Sequence, residues 1–159
     1  MEQTLNDNFR DMIGLLNAER VEYLLIGGWA VSFHARFRMT EDIDFWVRPS
    51  RENAERVMRA LVRFGAPVDG LGLSEQDFAT PRFGIQFGRP PVRIDLLTTM
   101  KGLDFEKAWA NRVVEKLGGI DVNVIGRDDL LRNKIEVGRD KDLLDVAAIK
   151  KAAKRSGDP

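Results

Sequence analysis

Residues 26–47 read IGGWAVSFHARFRMTEDIDFWV. Gly27 and Gly28 end an apolar run and are followed by an amphipathic segment. Asp42 and Asp44 then flank a single isoleucine in a second apolar run. The pattern predicts a strand that ends at the glycines, a helix that begins there, and a second strand that carries two carboxylates.

The two carboxylates share one face of the second predicted strand, because residues i and i+2 of a strand point the same way. Ile43 and Phe45 take the opposite face, which suits a core. Asp42 and Asp44 would then lie close together, where like charges repel each other. A hard divalent cation such as Mg²⁺ would remove this conflict. A solvated polar strand face explains the same two residues without a metal.

A third acid, Asp95, lies in the sequence PPVRIDLLTT, inside another strand-like run. A charge in that position is costly unless it faces a polar site. If this strand neighbours the strand of Asp42 and Asp44, the three carboxylates could hold two metal ions, the arrangement used for in-line displacement at phosphorus. Without those two acids, a salt bridge from Asp95 to Arg93 or Arg82 would be the simpler explanation.

Gly27 and Gly28 are suited to hold phosphate. Glycine lets the backbone approach a ligand closely, and the N-terminus of a helix offers unpaired N–H groups and partial positive charge. A plain tight turn is the alternative. The sequence has neither the Lys-Ser/Thr pair of a P-loop nor the pattern G-x-G-x-x-G, so neither of those phosphate-binding motifs applies.

The remaining chain mixes helices and strands up to about residue 126, and only helices follow, which predicts an α+β class with a mixed sheet flanked by helices. The predicted helices span residues 5–20, 29–37, 50–64, 105–110 and 127–154. The last of these has a break near Gly138, and the apolar residues of its second part are Leu143, Leu144, Val146, Ala147 and Ile149. The predicted strands span residues 21–26, 42–47, 83–87, 92–97, 113–117 and 120–125, and the last four form two hairpins. We expect a single domain over residues 1–159, with a sheet-containing core over about 1–126 and C-terminal helices over about 127–154.

The composition is that of an ordinary globular protein, 43% hydrophobic and 31% charged. Lys+Arg and Asp+Glu both number 25, so the basic excess of a dedicated nucleic-acid binder is missing and no stable DNA binding is expected. The sequence has no cysteine, which excludes disulfides and thiolate zinc sites. It shows neither a signal peptide nor an apolar run of membrane-spanning length, and we expect a cytoplasmic protein without membrane contact.

Taken together, GGWAVSFHARFRMTEDIDFWV and RIDLL resemble the signature of the DNA polymerase beta-like nucleotidyltransferase superfamily. That signature is a hydrophobic strand, Gly-Gly or Gly-Ser, a short helix, Asp-x-Asp between hydrophobic residues, and a third acid on a later strand. Gly27, Gly28, Asp42, Asp44 and Asp95 match these positions in order. The whole form, with the C-terminal DDLLRNKIEVGRDKDLLDVAAI, is similar to small stand-alone bacterial members, among them the nucleotidyltransferase toxins of abortive-infection and type IV toxin–antitoxin systems.

The resemblance implies a nucleotidyltransferase fold and a reaction in which a nucleoside monophosphate passes from an NTP (ATP, GTP or CTP) to an acceptor, with release of pyrophosphate. Asp42, Asp44 and Asp95 would be the catalytic and metal-binding residues, and Asp95 would also help to deprotonate the attacking hydroxyl. The implied cofactor is Mg²⁺, as two ions, with Mn²⁺ as the alternative. Gly27 and Gly28 would hold the β- and γ-phosphates.

Three further residues are candidates for contact with the nucleotide or its phosphates: Arg38, Thr40 and Lys134. Arg38 carries a planar fork of donors that suits phosphate, although an exposed loop arginine explains it equally well. Lys134 precedes the helix break at Gly138. It lies in a stretch, residues 132–155, with eight Lys or Arg against four acids, which could steer a nucleotide or an RNA or could form a solvated helix face.

The sequence leaves the acceptor open. The similarity to toxins favours a protein, such as a partner antitoxin, or the end of a tRNA, and an antibiotic-type small molecule is the alternative. Two other classes are less consistent with the residues. A non-catalytic relative that binds nucleotide or a partner would not need all three acids, and a nucleotide-sugar glycosyltransferase would leave Asp95 and the pair Gly27 and Gly28 unexplained.

Overall fold

One mixed sheet flanked by helices forms the core of the protein in a computed structural model, which describes residues 5–35 and 40–157. The strands are β1 (Tyr23–Ile26), β2 (Asp42–Val47), β3 (Gly84–Arg89), β4 (Val92–Leu97), β5 (Val113–Leu117) and β6 (Ile120–Val124). The helices are α1 (Asp7–Ala18), α2 (Gly27–His34), α3 (Arg51–Phe64), α4 (Glu75–Phe78), α5 (Phe105–Ala110), α6 (Arg127–Val137) and α7 (Asp140–Arg155). The predicted α+β class and the helical C-terminal part are confirmed.

The strand order β3-β4-β2-β1-β6-β5 places the two strands of the opening stretch at the centre of the sheet. β1 and β2 are antiparallel, whereas β2 lies parallel to β4 and β1 lies parallel to β6. β3 with β4 and β5 with β6 form the two predicted hairpins. Because β2 and β4 are neighbours, the condition for bringing Asp42, Asp44 and Asp95 together is met.

One face of the sheet is apolar, and α3 packs on it. Ile43 of β2 lies beside Ile94 of β4, and both are buried. Phe87 of β3 lies opposite Ile94, and the centre of its ring is 6.3 Å from that of Phe64 on α3. α1 in turn contacts α3. Alternation along β2 therefore directs its two aspartates to the other face of the sheet.

The other face carries α2 and the C-terminal helices, and α2 contacts β1, β2 and α7. Gly138, in the left-handed conformation with φ +69°, ends α6 at the predicted break and allows the turn into α7. Of the apolar residues predicted for α7, Val146 and Ile149 are buried, but Leu143 and Leu144 are exposed. Among the described helices, none is long and apolar enough to cross a membrane.

Asn53 fastens α3 to the backbone beside β1 and β2. Its buried side chain accepts a hydrogen bond from the Glu22 N–H at 2.8 Å and donates to the carbonyls of Glu22 and Arg48, both at 3.0 Å. Ser50 caps α3 as predicted, because its side chain accepts a hydrogen bond from the Asn53 N–H at 3.2 Å. Asn53 therefore fixes α3 against the two strands that lead to the site.

Asn53→Ala is expected to lower the free energy of unfolding by about 2–3 kcal/mol, because three backbone groups lose their side-chain partner in a buried position. Urea or thermal unfolding measures the change. Asn8→Ala, at an exposed position of α1, is the matched control and should change stability by less than about 0.5 kcal/mol. Equal stability of the two variants would show that Asn53 does not fasten the helix.

Candidate active site

Asp42, Asp44 and Asp95 lie together on the polar face of the sheet. In the parallel β2–β4 register, Asp44 lies beside Asp95, and Asp42 lies beside Arg93. All three carboxylates line one cavity of about 510 Å³. The structure thus brings together the three acids that the sequence singled out, and their chemical roles stay a prediction.

Asp44 and Asp95 lie close enough for their carboxyls to share a hydrogen bond. Burial is the largest cause of a raised pKa at Asp44. The hydrogen bond with Asp95 and the repulsion from Asp95 and Asp42 add to it, against an opposing effect of Lys141, so that the pKa rises from 3.8 to about 8. Asp95 Oδ1 is buried, and apart from the Asp44 carboxyl it has no hydrogen-bond partner in the described part of the chain. This pair of carboxyls therefore needs either a retained proton or a cation.

Asp42 is held by the guanidinium of Arg93. Arg93 Nε donates to Asp42 Oδ1 at 2.6 Å and Nη2 donates to Oδ2 at 3.0 Å. The sequence suggested Arg93 as a partner of Asp95, but the register places it beside Asp42. Within residues 5–35 and 40–157, no three His, Asp or Glu side chains form a group that is already arranged to hold a metal ion. Arg93 therefore compensates the charge of Asp42, and the shared hydrogen bond reduces the repulsion between Asp44 and Asp95.

Gly27 joins β1 to α2 beside the carboxylates. Its φ of +68° lies in the left-handed region that favours glycine. A Cβ at Gly27 would lie 2.1 Å from Asp44 Oδ2, because the β1–β2 register places Asp44 opposite Ile26. Ile26 is also the N-cap of α2 and offers no side-chain hydrogen bond to it. The first N–H groups of α2 are therefore left without a side-chain cap next to Asp44, which is the arrangement that a phosphate site uses.

Thr40 packs against Gly28, where a Cβ would come within 3.1 Å of the Thr40 Cβ. The Thr40 hydroxyl donates to the Asp42 carbonyl at 3.1 Å and accepts from the Asp42 N–H at 3.3 Å, so it fixes the start of β2. Both Thr40 and Gly28 line the cavity. Arg38, the remaining candidate in this segment, lies outside the described residues.

Lys134 also lines the cavity, but two aspartates of α7 engage its charge. Its Nζ lies 3.3 Å from Asp142 Oδ1 and 2.8 Å from Asp145 Oδ2, and all three residues are buried. Arg139 binds Asp142 as well, with Nε 2.6 Å from Oδ2 and Nη2 3.2 Å from Oδ1. Burial alone would raise the pKa of Asp142, but the hydrogen bonds from Arg139 and Lys134 outweigh it and lower this pKa to about 2. Lys134 therefore joins α6 to α7.

The sequence interpretation missed the buried positions of Asp142 and Asp145 and the place of Lys101 at the cavity. The sequence did contain a signal that Asp142 and Asp145 are buried. Residues 142, 145, 146 and 149 follow the spacing of one helix face, so the two aspartates lie on the same face as Val146 and Ile149. Carboxylates on a buried face require a buried partner, which Lys134 supplies. Lys101 lies in the loop after β4, where no pattern of the sequence indicated the site.

The mixed sheet, the Asp-x-Asp strand with a third acid on its parallel neighbour, and the helix that opens at a double glycine are features of a nucleotidyltransferase. Residues 5–157 match the sequence model of a family described as "nucleotidyl transferase of unknown function" (DUF2204), and the chain belongs to this family. The prediction that the protein is a nucleotidyltransferase is confirmed. A search of curated proteins found no match.

Solved structures share the fold at low sequence identity. The lincosamide antibiotic adenylyltransferase LnuA, with lincomycin bound, matches with a TM-score of 0.58 and 12% identity over 95% of this chain and 99% of its own. The antibiotic-resistance factor ANT(2'')-Ia matches with a TM-score of 0.51 and 12% identity over 94% of this chain and 83% of its own. An antigenic nucleotidyltransferase-like protein from Paracoccidioides brasiliensis matches with a TM-score of 0.51 and 16% identity over 89% of this chain and 74% of its own. These likenesses confirm the predicted nucleotidyltransferase fold.

Gly27→Ala is expected to destabilise the protein by at least about 1 kcal/mol, because alanine is strained at φ +68°. Its Cβ would also displace the Asp44 carboxylate, which should lower nucleotidyl transfer about 100-fold. Thermal unfolding and a transfer assay measure the two effects. Gly14→Ala, in open space within α1, is the control, and it should keep the rate and raise stability by about 0.5–1 kcal/mol because alanine is the better helix former. A wild-type rate in Gly27→Ala would contradict the close approach of Gly27 to Asp44.

The stability of the cation-free protein is expected to fall as the pH rises from about 4 through about 8, because folded Asp44 binds its proton more tightly than unfolded Asp44. This contribution is fully present below the ordinary pKa and is lost above the raised one. Asp44→Asn cannot ionise, so it should lack this pH dependence and be more stable than wild type at pH 9 by at least about 1 kcal/mol. Urea unfolding in EDTA across this pH range measures the difference, and parallel curves for the two proteins would contradict it.

Proposed function

We propose that this chain is a metal-dependent nucleotidyltransferase that moves a nucleoside monophosphate from an NTP to an acceptor hydroxyl and releases pyrophosphate. One observation carries the proposal: Asp44 and Asp95 lie side by side on β2 and β4, with Asp42 on the same strand face and the uncapped start of α2 next to Asp44. Membership of the nucleotidyl transferase family supports the reaction class.

The donor set fits a hard divalent ion. Three carboxylates line one cavity, Asp95 Oδ1 is buried with no partner other than the Asp44 carboxyl in the described part of the chain, and the pKa of Asp44 is raised by burial and by its acidic neighbours. Oxygen ligands of this kind suit Mg²⁺, and Mn²⁺ as its substitute. We assign Asp42, Asp44 and Asp95 as the residues that would hold two ions. When bound, such ions would neutralise the triphosphate and promote deprotonation of the attacking hydroxyl.

The residues of the chain itself would position the reactants. Gly27 and Gly28 would bind oxygens of the β- and γ-phosphates through their N–H groups, and Thr40 would keep the start of β2 beside them. Asp95 would accept the proton of the acceptor hydroxyl. A bond then forms between the acceptor oxygen and the α-phosphorus, the bond from that phosphorus to the bridging oxygen breaks, and pyrophosphate leaves with its electron pair.

Basic residues along the cavity wall would face the triphosphate charge. Lys101 and Lys141 are exposed and line the cavity, and Lys141 acts to lower the pKa of Asp44. We propose that these two lysines supply mobile positive charge, while Lys134, bound to Asp142 and Asp145, contacts the triphosphate from a fixed position. Arg38 stays a candidate for the same role.

Two acceptor classes have separate support. The motif resemblance to toxins favours a hydroxyl of a protein or a tRNA, with the chain as the toxin of a cytoplasmic toxin–antitoxin pair. The fold likeness to LnuA, solved with lincomycin, and to ANT(2'')-Ia, a resistance factor, favours an antibiotic-type small molecule. The cavity of about 510 Å³ falls within the range of small-ligand pockets, about 300–1,000 Å³.

Asp44→Asn and Asp95→Asn are each expected to lower nucleotidyl transfer at least about 100-fold, because each removes a charge that the reaction would use to hold its metal ions. The assay contains Mg²⁺ and each α-labelled NTP in turn, and it measures release of pyrophosphate and transfer of the label. Total tRNA, a protein extract, lincosamides and aminoglycosides are each tested as the acceptor. The acceptor that takes the label defines the class. EDTA should abolish transfer, and Mn²⁺ should restore it.

The control for this assay is Asp69→Asn, an exposed aspartate in the loop after α3, which should keep the wild-type rate. A wild-type rate in Asp44→Asn, or in EDTA, would overturn the metal assignment. Absence of label on every acceptor would overturn the proposed reaction. A toxin predicts growth arrest on expression that Asp42→Asn relieves, and the antibiotic-type alternative predicts normal growth and drug resistance.

A further inference from the structure

Arg93 occupies both oxygens of the Asp42 carboxylate. Its Nε and Nη2 donate in parallel, at 2.6 Å to Oδ1 and 3.0 Å to Oδ2. A guanidinium fork of this kind matches a carboxylate closely and is stronger than a single hydrogen bond. A divalent ion bound through the same oxygens would lie against the guanidinium, and two cations at such a distance repel each other. Arg93 and a metal ion would therefore compete for the oxygens of Asp42.

The ion pair between Arg93 and Asp42 is partly exposed to solvent, so it can open. The side chains of Arg93 and Asp42 are 33% and 25% exposed. Both side-chain hydrogen bonds that Arg93 makes within the described residues go to Asp42, and the charges of Asp95 and Glu41 attract it more weakly. The ion pairs of Lys134 are different, because Lys134 and Asp142 are 9% and 2% exposed and enclosed between two helices. Partly exposed pairs open at small cost, whereas a buried pair is costly to break.

We propose that Arg93 is a placeholder cation, which holds the Asp42 carboxylate in position while no divalent ion is bound and releases it when the ion binds. Arg93 is in this sense a positioning residue, because it acts through Asp42. The inference rests on the proposed function, since it takes Asp42 as a metal ligand. It implies that the metal ion competes with the guanidinium, so that removing the guanidinium strengthens metal binding.

The test is Mn²⁺ binding to the full chain without nucleotide, followed by electron paramagnetic resonance of the free ion. Arg93→Gln is expected to bind Mn²⁺ about fivefold more tightly than wild type, the equivalent of one partly exposed ion pair. Arg93→Lys keeps the charge but loses the fork, and should lie between the two. Arg89→Gln removes a nearby exposed charge from β3 without touching Asp42, and should bind Mn²⁺ as wild type does. Circular dichroism shows that each variant is folded.

The outcomes separate the inference from the proposed function. In one outcome, wild type binds Mn²⁺, Asp44→Asn abolishes this binding, and Arg93→Gln shows no gain in Mn²⁺ affinity. That outcome overturns the placeholder role alone. Equal gains in Arg93→Gln and Arg89→Gln also overturn it, because the effect is then one of overall charge. If neither wild type nor any variant binds Mn²⁺ at the carboxylates, the metal-dependent function fails and the inference fails with it.

A measurement on wild type tests the same point where Arg93→Gln does not fold. The Nε–H of Arg93 donates to Asp42, so its proton should exchange slowly with water and give a resolved NMR signal, assigned by its loss in Arg93→Lys. Saturation with Mg²⁺ is expected to free this group and to remove or shift the signal. An unchanged Arg93 signal at a Mg²⁺ concentration that shifts the signals around Asp44 would overturn the proposal.

Discussion

Asp42, Asp44 and Asp95 repel one another, and the other charged groups of the site are arranged around this repulsion. The parallel β2–β4 register sets Asp44 beside Asp95, and the buried side chains on the opposite strand face hold both strands in place. The carboxylates cannot move apart, so positive charge has to reach them. Arg93 meets Asp42, a hydrogen bond is shared within the pair Asp44 and Asp95, and the N-terminus of α2 lies next to Asp44. The pair Asp44 and Asp95 has no cation of its own, so it leaves the site suited to receive further positive charge.

The C-terminal helices contain a second group of charges with the opposite character. Lys134, Asp142 and Asp145 balance one another between α6 and α7, largely out of contact with water, and the exposed Arg139 binds Asp142 from the surface. Removing one partner of such a group leaves an uncompensated buried charge, so the group is a fixed part of the fold. The ion pairs in the wall of the cavity are therefore permanent. The ion pair between Arg93 and Asp42, on the side of the cavity where we propose that metal binds, is the exchangeable one.

Local patterns predicted most of the secondary structure. β2, β4, α5 and β5 begin and end at the predicted residues, because clear turn and loop residues lie next to them. The sequence also predicted that the two aspartates of β2 share a face. The partner of Arg93 could not be predicted, since it depends on the register between two strands about fifty residues apart in the chain.

The buried face of α7 could not be predicted for a different reason. Leu143 and Leu144 are hydrophobic, yet both are exposed. Asp142 and Asp145 are buried instead, because Lys134 on the facing helix compensates their charge. A pattern of hydrophobicity within one helix carries no information about a charged partner on another helix, so this part of the site became visible only in the folded chain.

We propose above that the carboxylates of β2 and β4 form a metal-dependent nucleotidyl transfer site. The most direct measurement is anomalous diffraction from crystals of the protein soaked with Mn²⁺ and a non-hydrolysable NTP analogue. We expect two anomalous peaks at about 2.1 Å from carboxylate oxygens of Asp42, Asp44 and Asp95, with the triphosphate reaching the N-terminus of α2. An analogue that binds with no Mn²⁺ at these three carboxylates, or with its triphosphate away from Gly27 and Gly28, would contradict it.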